Sequence, residues 1–229
     1  MKTIEHELYY EFRIADDVKM IYTKKPFNIN LKELSNDNFN FVPKSKKIKY
    51  LKQLHTDIIY KVEDNFINFQ KGDGLISSSL DVALVAYFAD CLPIYLYDSV
   101  KKIIGLIHSG YKGSFNLIIL KMLFMFEKMG STFKDLKIVF GPYNRSCCYE
   151  VSEIFLKEVS NKFSKDLLNA SFVTRDGKIY FDNASFNLNL LSSFNLNIYN
   201  SKLCTYCLEN LYSYRRLRES QSYALIWRI

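Results

Sequence analysis

Long apolar runs are missing from this sequence. Its most apolar segment, residues 115–126, is too short to span a bilayer and carries Lys121. After Met1 and Lys2 the chain runs Glu5, His6, Glu7, with no apolar stretch of the kind a secretory leader carries, so a cytoplasmic location is expected. Cysteine is sparse too: five residues, an odd count with Cys147 and Cys148 adjacent, make a poor disulfide framework and agree with a reducing compartment. Internal repeats, low-complexity tracts and linkers are likewise absent. Residues 1–229 therefore read as one domain, large enough to bury about 70% of its unfolded surface without covalent staples.

Hydrophobic residues make up 48% of the chain and charged residues 24%, a globular balance. The aromatic share of 16% is spread along the chain, as ordinary core packing requires. A net charge of +7 raises the question of nucleic acid. The basic residues come in short groups, such as Lys44, Lys46, Lys47 and Lys49, and no nucleic-acid-binding motif accompanies them, so a solvated face is the plainer reading. A positive field would still attract a small anion such as phosphate.

Residues 1–50 contain short strand-like pieces (8–14 and 20–23) and a polar Lys/Asn-rich stretch, with no motif of chemical content. From residue 51 onward the pattern sharpens. Residues 82–88, 93–97 and 103–107 are apolar runs of strand length, expected to lie in one sheet, with Cys91 and His108 at strand ends. Residues 114–129 predict a helix apolar on nearly all sides, with Ser114 as N-cap and Gly130 as its stop. Residues 136–140, 178–181 and 223–227 predict strands, and 152–163 and 183–193 predict helices. Strands and helices mix without a regular βαβ period, so the expected fold class is α+β, a single domain with a mixed sheet core flanked by helices.

Histidine is the scarcest chemical resource, with three residues in all. Two of them, His55 and His108, together with Cys91, form the donor set of a three-ligand zinc centre with a position left open for water or substrate. Spacings of 36 and 17 residues are not those of a zinc finger, and each residue alone has a plainer role: a hydrogen-bonded histidine or a small buried thiol. Cys204 and Cys207 have the C-x-x-C spacing of a redox or metal pair, yet no second pair and no thioredoxin-like unit accompany them, so they read as structural. Cys147 and Cys148 read as local packing. Lys112, at a helix start, is a candidate anion contact or a solvated lysine.

Taken in order, QLHTD (53–57), GDGLISS (72–78), ADCLPIYLYD (89–98), IGLIHSGYKG (104–113), GPYNRSCCYEV (141–151), CTYC (204–207), YSYRR (212–216) and LIW (225–227) resemble the laccase-domain or polyphenol oxidase family, regarded as purine nucleoside phosphorylases. The resemblance runs from about residue 50 to the C-terminus. It implies a His–Cys–His metal triad at His55, Cys91 and His108, and a mixed α+β fold distantly similar to cysteine deamidases. It also implies phosphorolysis of adenosine, inosine and methylthioadenosine together with deamination of adenosine. Some bacterial relatives are linked to editing of a peptidoglycan precursor, and an older laccase reading brings copper. Where the family has HAGWRG, this chain has Tyr111 for Trp and Lys112 for Arg, keeping the charge but losing the bidentate fork. Arg145 stands in the middle of the GPYNRSCCYEV segment as a replacement cation, and Gln221 takes the place of a family arginine.

The expected function is therefore that of a zinc enzyme acting on purine nucleosides and phosphate, with no nucleic acid or membrane partner. His55, Cys91 and His108 are its expected metal and catalytic residues. Lys112, Arg145, Arg215 and Arg216 are the expected substrate contacts, and Asp90 or Glu150 the groups that orient ligands or move protons. One alternative drops the metal and makes Cys91 a nucleophile with His108 as its base, acting on an amide. Copper-dependent phenol oxidation needs far more histidines than three. A non-enzymatic nucleoside-binding protein is the remaining rival.

Overall fold

The apolar runs are continuous because the strands they form are covered on both faces. In β7 (Val82–Phe88), Val82, Leu84, Ala86 and Phe88 face one apolar cluster while Ala83 and Val85 face another. In β8 (Leu92–Asp98), Tyr95 and Tyr97 join that first cluster, and Leu92, Ile94 and Leu96 point the other way into a third. Alternate side chains on a strand point to opposite faces, so two-sided burial removes the polar alternation of a half-exposed strand.

These strands belong to a computed structural model that describes residues 1–29, 39–63, 65–218 and 220–229. The first sheet contains β1 (Lys2–Glu5), β2 (Tyr9–Arg13), β3 (Val18–Thr23), β4 (Lys47–Lys49), β7 and β15 (Ser222–Arg228) in the order β1-β2-β3-β15-β7-β4. The second is built from β5 (Ile59–Lys61), β6 (Gly74–Ser77), β8, β9 (Ile103–Ser109), β10 (Leu136–Phe140) and β14 (Asn197–Asn200), in the order β14-β10-β8-β9-β6-β5. A small third sheet holds β11 (Glu150–Val151), β12 (Phe172–Arg175) and β13 (Lys178–Phe181), with β13 central. The first two sheets share the cluster containing Phe12, Tyr22, Phe88, Tyr95 and Ile226. The outer face of the second sheet is covered by α2 (Ile118–Lys128) and by residues from α5 (Asn183–Leu190) onward. The remaining helices are α1 (Tyr111–Phe115), α3 (Glu153–Ser160) and α4 (Lys165–Ser171). The architecture is α+β.

Two expectations are corrected. Strands β7, β8 and β9 do not share one sheet: β7 pairs with β15 and β4, whereas β8 pairs with β9 and β10. Residues 89–91 carry the chain from one layer to the other, with Asp90 in left-handed backbone (φ 88°), so Cys91 lies at a corner between sheets. The helix expected over 114–129 is two helices. Leu117 at φ 60° breaks it after α1, and Ser114 is buried inside α1 rather than capping it. Nor is α2 buried all round: Ile118, Ile119, Met122, Leu123 and Phe126 are buried while Phe124 is exposed. Gly130, at φ 88°, follows the helix end as expected. The helix expected over 183–193 ends at Leu190, and that over 152–163 runs Glu153–Ser160, with Ser152 Oγ accepting the Phe155 N–H.

The N-terminal segment supplies the β1-β2-β3 side of the first sheet, next to β15, while Phe39 and Val42 cover the outer face of that sheet. Residues 30–38 of the Lys/Asn-rich stretch lie outside the described residues.

Candidate functional site

Three chain segments converge at one end of the second sheet. Strand register places Pro93 opposite His108 and Leu92 opposite Ser109, which brings Cys91 beside Gly110 across the β8–β9 pair. The loop before β5 brings in His55, whose left-handed backbone (φ 59°) histidine tolerates better than a β-branched residue would. One ligand atom from each of His55, Cys91 and His108 lies within 4.8 Å of the others. Cys91 Sγ is 3.7 Å from His55 Nε2, and the two imidazole rings meet edge to face with centroids 4.9 Å apart. His55 is exposed, Cys91 half-buried and His108 4% exposed, so the site opens to solvent on the His55 side.

Asp73, in the turn before β6, organises this centre. The residue is 2% exposed, and its carboxylate takes hydrogen bonds from the His55, Leu54 and Thr56 backbone N–H groups and from Thr56 Oγ1. His108 Nδ1 lies 2.7 Å from Asp73 Oδ1. A carboxylate can only accept, so Nδ1 carries the proton and Nε2 is left to face Cys91 and His55. Burial is the largest influence on the Asp73 carboxylate and works against its charge, but the bond and attraction from His108 together with the Thr56 hydrogen bonds outweigh it and hold its pKa below the ordinary value. A carboxylate behind a histidine is the arrangement that orients metal-bound imidazoles.

Charge within the triad is redistributed. Burial pushes the Cys91 thiol up, yet the His108 imidazolium and hydrogen bonds from both histidines overcome this and bring it to about 6. Burial lowers His108, and the Cys91 thiolate together with Asp73 raises it to about 9. Two imidazole nitrogens and a thiolate are a donor set that suits zinc, and all three residues line the pocket described next. The fit is supported by the second-sphere carboxylate and by the ready ionisation of Cys91.

A pocket of about 550 Å³ opens onto the triad. Tyr87, Tyr111, Tyr149 and Tyr214 give it aromatic walls, and Gln53, Asp90, Asn144, Asn183 and Arg215 contribute polar groups. Gln53 is fixed by a two-way amide bond to the Tyr87 backbone and by donating its own N–H to Tyr87 Oη. Asn183 donates to the Ser109 carbonyl and accepts from Ser114 Oγ, so its amide belongs to a closed buried network. Asn144 differs: it is 1% exposed, lines the pocket, and among the described residues neither Nδ2 nor Oδ1 has a partner.

The expected substrate contacts separate. Arg215 lines the pocket, with its guanidinium 5.0 Å from the Tyr149 ring centroid and Nη1 bonded to the Glu150 carbonyl. Arg216 turns away, and Nη1 donates to the Thr205, Tyr206 and Leu208 carbonyls while Nη2 donates to Leu211 O. Arg145 Nη1 donates to the Lys202 carbonyl, and Lys112 is exposed on α1, its ammonium 6.0 Å from the Tyr111 ring centroid; neither is among the pocket-lining residues. Asp90 lines the pocket with its carboxylate held by Thr205 Oγ1 and the Arg215 N–H, whereas Glu150 pairs with Lys178 outside it. Sequence reasoning overlooked Asp73 and Asn144. The signals were an acid enclosed by glycines within an apolar motif, and an amide beside the cysteine pair.

Residues 28–228 match the family described as multi-copper polyphenol oxidoreductase laccase. A protein of Borreliella burgdorferi named purine nucleoside phosphorylase is 96% identical over the full length of both chains. Another of that name, from Clostridium acetobutylicum, is 32% identical over 94% of this chain and 93% of its own. The crystal structure of the hypothetical protein YfiH of Bacillus licheniformis aligns with a TM-score of 0.86 at 25% identity, covering 97% of each chain. On the strength of that match over residues 28–228, the chain belongs to the laccase-like polyphenol oxidoreductase family.

Proposed function

We propose that this protein is a zinc-dependent purine nucleoside phosphorylase that also deaminates adenosine. The observation that carries the reading is the His55–Cys91–His108 triad opening into an aromatic-walled pocket of about 550 Å³. The relatives named purine nucleoside phosphorylase support the same reading. A chain with three histidines, one of them His6 hydrogen-bonded to Glu11 and not among the pocket-lining residues, lacks the imidazoles that several copper ions require.

His55, Cys91 and His108 hold the zinc, with Asp73 fixing the His108 tautomer. When bound there, zinc supplies concentrated positive charge against negative charge that develops on the substrate. The tyrosine rings receive the flat purine, and the free amide of Asn144 reads one of its polar edges. In phosphorolysis a phosphate oxygen bonds to the ribose C1′ as the bond from C1′ to the purine nitrogen breaks, leaving the electron pair on the base. Among the described residues that line the pocket, Arg215 carries the one permanent positive charge and is placed to hold phosphate. In deamination, water adds at purine C6 and ammonia leaves. An amide that offers both donor and acceptor accommodates either a 6-amino or a 6-oxo purine.

A metal-free reading draws support from the depressed Cys91 thiol and the raised His108, the pairing of a cysteine nucleophile with its base acting on an amide. One experiment separates the two. Wild type and His55→Ala are assayed for zinc and incubated with adenosine, with and without phosphate. Phosphate-dependent adenine and phosphate-independent inosine, both lost with the metal in His55→Ala, are expected. Turnover that survives zinc removal and is blocked by alkylating Cys91 would overturn the zinc reading in favour of the thiol.

A further inference from the structure

A second group of metal-ligating side chains stands outside the pocket. Cys147, Cys148, Cys204 and Cys207 bring their sulfur atoms within 4.8 Å of one another. Cys207 Sγ is 3.3 Å from Cys148 Sγ and 3.7 Å from Cys147 Sγ. A disulfide requires about 2.05 Å, and none is formed; all five cysteines are free. Four sulfurs at about 2.3 Å from one central ion in a tetrahedron stand about 3.8 Å apart, within the observed range.

Each sulfur pair comes from its own tight turn. The Cys148 and Tyr149 N–H groups both donate to the Arg145 carbonyl, folding the first turn so that adjacent cysteines face the same side. In the second turn the Leu208 N–H donates to the Cys204 carbonyl across the C-x-x-C loop. A bridge between Tyr143 and Cys204, with Thr205 N–H donating to Tyr143 O, locks the two turns side by side. Arg145 and Arg175 bond to carbonyls of the same turns, at Lys202 and Cys147, and bring two positive charges close to the sulfurs.

We propose that these four cysteines form a tetrathiolate zinc site, structural rather than catalytic. Four protein sulfurs complete a tetrahedron and leave no position for substrate. An all-sulfur tetrahedral set selects zinc or iron over copper(II) or magnesium, and isolated zinc needs no redox partner. Loading joins one Zn²⁺ to four thiols, releases four protons and leaves a dianionic centre whose charge the two arginines offset. The site staples the turn behind Asn144 and Tyr149 to the turn whose carbonyls Arg216 gathers, and so braces one wall of the pocket. It is independent of the zinc proposed for the pocket.

Metal content tests it. Wild type purified with zinc under reducing conditions should hold about two ions per chain after dialysis against a weak chelator. His55→Ala should hold about one, Cys147→Ser/Cys207→Ser about one, and the combined variant none. Cys147 and Cys207 are both exposed, so their replacement leaves the core intact, which circular dichroism verifies. Cobalt(II) added to the zinc-free His55→Ala protein should give strong thiolate charge-transfer bands and tetrahedral visible bands, lost on replacing the two cysteines. The proposal is overturned if His55→Ala holds no zinc and gives no such spectrum. It is equally overturned if the double cysteine variant keeps the wild-type stoichiometry, or if fresh protein shows a disulfide among the four by intact mass. Loss of pocket zinc alone leaves both cysteine readouts unchanged, so the two sites fail separately.

Discussion

Asp73 Oδ1 takes the proton-bearing Nδ1 of His108 at 2.7 Å, and the same carboxylate anchors the backbone of His55. One buried acid thus orients a ring on a strand and a histidine on a loop. Replacing it by asparagine puts a weaker, neutral acceptor behind His108. Asp73→Asn should lower pocket zinc affinity about 10–100-fold, measured by competition with a chromogenic chelator. An unchanged affinity would remove Asp73 from its supporting role.

Gly110 is required for space. Its φ of −69° suits any residue, but a Cβ there would lie 2.7 Å from His55 Cδ2 and 3.2 Å from Cys91 Sγ. Gly110→Ala should displace both side chains and reduce pocket zinc to the level of His55→Ala, with the second zinc retained. Wild-type metal content in this variant would show that the triad has room to adjust.

Asn144 carries a buried amide with no hydrogen-bond partner among the described residues. Leaving such a group unpaired is costly unless a ligand completes it. Asn144→Ala should lower kcat/KM for adenosine and inosine by about 1–3 kcal/mol of transition-state stabilisation, roughly 5- to 150-fold. Its melting temperature should hold or rise, because the unpaired amide is gone. A falling melting temperature with unchanged kcat/KM would instead make Asn144 a structural residue.

In zinc-free protein Cys91 titrates at about 6 and His108 at about 9. The depressed thiol adds stability at high pH that is lost as pH falls toward 6. The raised imidazole adds stability at low pH that is lost as pH rises through 9. Unfolded, with ordinary values of 9.0 and 6.5, the pair also carries one proton through the middle of this window, on sulfur instead of on the ring. Folding therefore takes up no net proton between about 6.5 and 9, and the contribution of the pair to stability is flat there. Its reactivity is not: iodoacetamide should modify Cys91, followed by peptide mass spectrometry, with an inflection near pH 6 that moves upward in His108→Ala. An inflection near 9 in the unsubstituted zinc-free protein would contradict the thiolate–imidazolium pair.

Arg216 and Lys112 test the division between framework and surface. Arg216→Ala strands four carbonyls that its guanidinium now satisfies and should cost about 1–3 kcal/mol in denaturant unfolding. Lys112→Ala should change stability by less than about 0.5 kcal/mol and leave the phosphate dependence of turnover unaltered. A raised KM for phosphate in Lys112→Ala would restore it as an anion contact.

Much of this was legible beforehand. The strands at 82–88, 92–98, 103–109 and 136–140 announce themselves as apolar runs, because two-sided burial demands them. His55, Cys91 and His108 stand out through scarcity and motif order. The break at Leu117 was hidden, since residues 114–129 have good helix formers and no proline; packing of α1 beside Ser109 and Asn183 interrupts what local propensity would continue. Arg215 and Arg216 look alike as neighbours in sequence, yet backbone direction sends one toward the pocket and the other into a ring of carbonyls.

The sequence by itself determined the fold class and the cysteine count, because these follow from residue type and local period, and it singled out His55, Cys91 and His108 through the order of their motifs. Only the tertiary structure decided that β7 and β8 lie in different sheets, that Asp73 stands behind His108, and that Cys147, Cys148, Cys204 and Cys207 meet. Those relationships join residues 35 to 60 positions apart or turn on one left-handed residue. Contacts at such separation are set by how whole layers pack, which no local pattern along the chain encodes.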